Sequence, residues 1–96
     1  MRRDEALQIL KSHKQELTKF DVKSLAIFGS VARDEAGPES DVDILVEFTK
    51  PVGLFEFVRL KTYLEKLLQH KVDLVTPDAL KDRLREQILK EAIRAA

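Results

Sequence analysis

Apolar residues recur along the chain in two periods that alternate. From Asp4 to about Phe20, Ala6, Leu10, His13 and Leu17 fall near helical spacing, and Ile9 and Phe20 widen the same side. That spacing predicts one amphipathic helix whose task is packing. Val22 to Phe28, "VKSLAIF", is β-branched and apolar enough for a buried strand. The next residues, Gly29-Ser30, permit a tight turn into a short helix around Val31 and Ala32. "AGPES", Ala36 to Ser40, reads as a loop, because glycine and proline disfavour regular structure there.

From Asp41 the pattern becomes a strict alternation. Asp41, Asp43, Leu45 and Glu47 share one side of a second strand, and Val42, Ile44, Val46 and Phe48 share the other. The second set is fully apolar and belongs to the core. After "TKPVG" a long helix is predicted from Leu54 to about Gln69, with a broad apolar side suited to a partner as well as to the core. Phe55 and Phe57 stand two residues apart on it and cannot share one narrow stripe, which leaves one of them for a protein contact. "KVDLV", Lys71 to Val75, predicts a third strand. Thr76-Pro77 predicts a helix start, and Leu80, Leu84 and Ile88 predict a last helix running to near Ile93.

Three strands separated by helices, with no repeat and no linker, predict one α/β domain over residues 1–96. A chain of 96 residues leaves a simple core and a site built from a few strand ends and loops. Lys plus Arg and Asp plus Glu each total 17, for a formal net charge of zero. No global basic field points to nucleic acid, so stable DNA binding is not expected. The distribution is less even, since Arg33 to Glu47 holds six acids against one base. There is no cysteine, which excludes thiolate catalysis and a disulfide framework. No segment approaches the roughly 18 apolar residues of a membrane span. The expectation from these features is a cytoplasmic protein without a membrane partner.

The acids carry the candidate chemistry. On one strand face, the carboxylates of Asp41 and Asp43 can reach the same one or two divalent cations. Magnesium takes hard oxygen ligands and keeps waters and substrate phosphates, so two or three protein carboxylates suffice. Asp73 sits on the third strand with Val72 and Leu74 on the opposite side. If the second and third strands are neighbours, it completes a three-carboxylate set. Three such charges together call for a bound cation or a raised pKa on one of them. The Gly29-Ser30 turn supplies the complementary half: free backbone N–H groups at a helix start favour anions, with the Ser30 hydroxyl and the Arg33 guanidinium as further donors to a phosphate tail. Cation-binding acids beside an anion-binding turn fit metal-dependent phosphoryl transfer, with Asp73 as the candidate ligand or general base that prepares the acceptor hydroxyl.

"GSVAR", then "SDVDILV", then "KVDLVTP" resemble the minimal nucleotidyltransferases of the DNA polymerase beta superfamily, and in particular the small MNT antitoxins paired with HEPN-domain toxins. The resemblance spans nearly the whole chain, including "LKDRLREQILKEAI". It implies a mixed α/β minimal nucleotidyltransferase fold with a three-stranded core sheet. By position it places Gly29 and Ser30 in the nucleotide-phosphate motif, Asp41 and Asp43 as magnesium ligands, and Asp73 as the third carboxylate. For function it implies transfer of AMP from ATP, with two magnesium ions, to a tyrosine of a partner HEPN-domain RNase toxin in a hetero-oligomer. The alternative is a non-catalytic antitoxin that neutralises its partner by stoichiometric binding. This chain departs from the pattern at Asp34, where such sequences often carry glycine. A carboxylate there would repel a phosphate unless it faced away.

Overall fold

A computed structural model describes every residue from Met1 to Ala96. Four strands, β1 (Val22–Phe28), β2 (Val42–Phe48), β3 (Val72–Val75) and β4 (Ile93–Arg94), form one mixed sheet in the order β3-β2-β1-β4. β1 runs antiparallel to β2, and β2 runs parallel to β3. The parallel pair requires a crossover, which α4 (Leu54–Leu68) provides. Val42, Ile44 and Val46 are completely buried, as the alternation of β2 requires. They meet Ala6 and Leu10 of α1 (Arg3–Ser12), Leu17 of α2 (Lys14–Thr18), and Leu60, Leu64 and Leu68 of α4 in a single apolar cluster. A bulge between Val22 and Ser24 shifts the register of β1. It lets Val22 and Leu25, three residues apart, both reach that cluster.

The first helix differs from its expected form. It is divided at His13, whose backbone (φ −111°, ψ 22°) leaves the helical region, while its Nδ1 lies 2.8 Å from the Ile9 carbonyl oxygen. The ring thus meets an end carbonyl that has no helical partner. β2 begins at Val42, one residue later than expected, so Asp41 lies at the mouth of the strand. Pro77–Ala79 forms a single 3₁₀ turn, and the last helix, α5 (Asp82–Glu91), starts only after it.

The larger correction concerns the chain's last residues. Ile93–Arg94 forms β4, antiparallel to β1, so the sheet has four strands where three were expected. "AIRAA" has a composition suited to helix, but without β4 the outer edge of β1 would be unpaired. Leu25 exchanges hydrogen bonds there, donating to the Ala96 carbonyl (3.1 Å) and accepting from the Ala95 N–H (2.8 Å). Edge pairing outweighs local propensity.

Candidate active site

The site lies where β1 ends and β2 and β3 begin. Asp43 and Asp73 are register partners across the parallel pair, so the expected neighbourhood of the two strands is present and the two side chains leave the same face. Asp41 precedes β2 by one residue and is exposed. On the antiparallel side, Phe28 is the partner of Asp43, which brings the end of β1 beside that carboxylate. Phe28 and Leu45 are buried on this face and form its apolar floor.

Gly29 follows directly and opens the four-residue helix α3 (Gly29–Ala32). Its φ of +69° is a left-handed conformation that glycine adopts without strain. A second constraint acts on the same atom. A Cβ added at Gly29 would overlap Asp43 Oδ2 and lie 3.1 Å from Asp43 Cγ. The turn and the carboxylate are therefore fitted to each other with no room for a methyl group between them.

Burial is the main reason that the Asp43 carboxyl is held above the usual carboxylate range. The charges of Asp73 and Asp41 push it further the same way, Glu91 adds a smaller push, and Arg33 opposes them. The carboxylates are hard oxygen donors of the kind a divalent cation takes, and a cation would relieve the part of the shift that comes from their mutual charge. The side chains do not form a closed cage: no three His, Cys, Asp or Glu groups are gathered closely enough to enclose an ion. A polar cavity of about 390 Å³ adjoins Asp41, with Ser40, His70 and Lys71 in its wall. A larger cavity, about 800 Å³, lies at the other end of β2, against Val46, Phe48 and Leu54, away from Asp41, Asp43 and Asp73. The carboxylates and the glycine turn, and not cavity size, locate the chemistry.

Two acidic side chains have roles that the sequence did not announce. Asp34 adopts a left-handed conformation (φ 60°), and its Oδ1 accepts a hydrogen bond from the backbone N–H of Arg3 at 3.1 Å. That N–H is one of the unpaired donors in the first turn of α1, so the Asp34 carboxylate is engaged there by a helix start. The second is Glu91, whose Oε1 accepts the Gly29 N–H at 3.0 Å and whose Oε2 lies 3.1 Å from Arg33 Nη1. Arg33 also donates to Glu35 at 3.2 Å, so the guanidinium is held between two acids. One local sign pointed to Glu91. An acid in the last turn of a helix opposes the helix dipole and is best explained by a partner elsewhere in the fold.

This fold, with paired aspartates beside a glycine turn, defines a class, and the Nucleotidyltransferase domain family matches it over residues 4–95. The chain belongs to that family. Within it, the protein adenylyltransferase MntA of Thermococcus cleftensis is 43% identical over 91 residues, covering 94% of this chain and 92% of its own. A Methanocaldococcus jannaschii sequence assigned as a protein adenylyltransferase is 47% identical over 77 residues, 79% of each chain. Among solved structures, one assigned to the minimal nucleotidyltransferases superposes with a TM-score of 0.83 at 39% identity, covering 97% of this chain and 95% of its own. The fold is shared at greater distance by an MNT antitoxin in complex with the tri-AMPylated HEPN toxin of Shewanella oneidensis (TM-score 0.66, 19% identity, covering 94% of this chain and 71% of that one).

Proposed function

We propose that the protein, acting as one domain over residues 1–96 in the cytoplasm, is an antitoxin that transfers AMP from ATP to a tyrosine of a partner HEPN-domain RNase toxin. The observation that carries this reading is the pairing of Asp43 with Asp73 across β2 and β3, with the Asp43 carboxylate against the Gly29 turn. On this reading cation ligands and an anion-binding turn adjoin at the contact of Asp43 with Gly29, an arrangement suited to a single triphosphate. Gly29 and Ser30 hold the phosphate tail, and Arg33 neutralises it. Asp41, Asp43 and Asp73 are the residues that would hold magnesium, which when bound would supply charge stabilisation at the α-phosphate. The tyrosine oxygen forms its bond to the α-phosphorus as the bond to the bridging oxygen of the β-phosphate breaks. Its proton passes to the Asp73 carboxylate, and pyrophosphate leaves. The similarity to protein adenylyltransferases supports protein as the acceptor class.

A second reading, neutralisation by stoichiometric cover, has one observation in its favour. Leu54, Phe55 and Val58 stand exposed on the first turns of α4, with Phe55 84% exposed. The side chain left over by the two-residue offset of Phe55 and Phe57 is thus Phe55, while Phe57 packs on Phe48 at 6.5 Å between ring centroids. Labelled ATP, Mg²⁺ and the copurified toxin separate the readings. Label on the toxin that disappears in Asp41→Asn and Asp43→Asn supports catalysis. Full neutralisation at a fixed ratio with no label on the toxin overturns it in favour of cover alone.

A further inference from the structure

We propose that Glu91 is an internal stand-in for the nucleotide phosphate, and that ATP binds by taking the Gly29 and Arg33 donors away from it. The inference rests on the reading of the Gly29 turn as the phosphate site. Three contacts define the arrangement: Gly29 N–H to Oε1 at 3.0 Å, Arg33 Nη1 to Oε1 at 3.3 Å, and Arg33 Nη1 to Oε2 at 3.1 Å. Carboxylate and phosphate oxygens present the same acceptors to backbone N–H groups and to a guanidinium. One N–H cannot serve both at full strength. The Glu91 side chain is only 24% exposed, so it is seated in the turn and does not sample solvent freely.

The surroundings suit a contact that breaks. α5 contains no buried residue, so moving it uncovers little apolar surface. The chain leaves it through Ala92, which is extended (φ −64°, ψ 135°), and is anchored beyond that point by β4 and the buried Ala95. Glu91 can therefore swing out with the end of α5 while the sheet stays intact. In the nucleotide-free protein the contact neutralises Arg33 and closes the turn to casual anions. Apparent affinity for a nucleotide is then reduced by the fraction of molecules whose turn is open.

The test uses the full chain, AMP-PNP with Mg²⁺ as the probe, and calorimetry. Glu91→Gln and Glu91→Ala should bind AMP-PNP about tenfold more tightly than wild type, and pyrophosphate likewise, the size expected for lost charge-assisted contacts at a partly exposed site. Unchanged or weaker binding in both variants, with wild-type binding intact, overturns the inference and makes Glu91 a strut for α5. A readout on wild type alone guards against misfolded variants. The ¹³C resonance of the Glu91 carboxylate should move to its solvent position as AMP-PNP saturates, and a resonance that stays in place also overturns the inference. If wild type and both variants all fail to bind AMP-PNP and the Gly29 amide does not respond, the phosphate-turn reading itself falls, and this inference with it.

Discussion

Replacing Gly29 with alanine separates the two demands made on that residue. The backbone term comes from φ +69°, where an L-residue costs roughly 1–2 kcal/mol, offset by about 0.4–1 kcal/mol because alanine has less freedom to lose on folding. The packing term comes from the new Cβ, which would overlap Asp43 Oδ2 and crowd Cγ at 3.1 Å. Inserting a methyl group into filled space costs about 1–3 kcal/mol, here relieved by turning the carboxylate. The terms together span about 1–4.5 kcal/mol and centre near 3, or a fall in Tm of roughly 10–20 °C at the centre for a domain of this size. Activity should fall much further, because a shift of about 1 Å in a reacting group costs on the order of 100-fold. Gly37→Ala is the internal control: its φ is not in the left-handed region, and its Cβ would meet only Ser40 Oγ, at an ordinary 3.8 Å. The assays are thermal melting and AMP transfer to the toxin, run on both variants. Wild-type activity in Gly29→Ala, or equal losses in the two, would refute the coupling of turn and carboxylate.

Two other substitutions test the acids. Asp34→Ala should lose about 1.5–2.5 kcal/mol in urea denaturation, from the lost Arg3 hydrogen bond and the left-handed backbone, whereas Asp34→Gly removes the strain and should lie within about 1 kcal/mol of wild type. AMP transfer by Asp34→Gly should stay within about threefold of wild type, since that carboxylate points to α1; a large gain in nucleotide affinity would contradict it. The raised pKa of Asp43 means that the fold binds its proton more tightly than the unfolded chain does. Its contribution to stability is therefore favourable at acid pH and declines as pH rises from the unfolded value through the raised folded one. In EDTA, Asp43→Asn should lack this decline and melt above wild type at pH 7, while losing transfer activity. A lower melting temperature at pH 7 would count against the repulsion.

The alternation of β2 was legible because one of its faces is wholly apolar, and strand pairing converted Asp43 and Asp73 from a spacing into register neighbours, with Asp41 left just outside the strand. Gly29 was legible as a turn residue, but its contact with Asp43 was not. That contact depends on the antiparallel register that sets Phe28 opposite Asp43. β4 was hidden because "AIRAA" has the local preferences of helix and becomes strand only through the open edge of β1. Glu91 was hidden for a related reason: its partners, Gly29 and Arg33, stand at the two ends of α3, 62 and 58 residues earlier, and only the return of the chain to pair β4 with β1 brings them together. Asp34 looked like a disturbance of the phosphate turn because the sequence shows the charge but not the direction of its side chain.

The parallel pairing of β2 and β3 has a consequence for the order of events during synthesis. β1, the glycine turn and β2 emerge first and can form an antiparallel pair without the rest of the chain. Asp73 follows only after all of α4 has been made, and its strand joins by a long-range crossover, the slower kind of contact to form. A nascent or C-terminally clipped chain thus holds the turn and two of the acids but lacks the third, together with Glu91. The carboxylate set is therefore complete only once the chain has been made through β3, whereas the turn and its two nearer acids are in place before α4 exists.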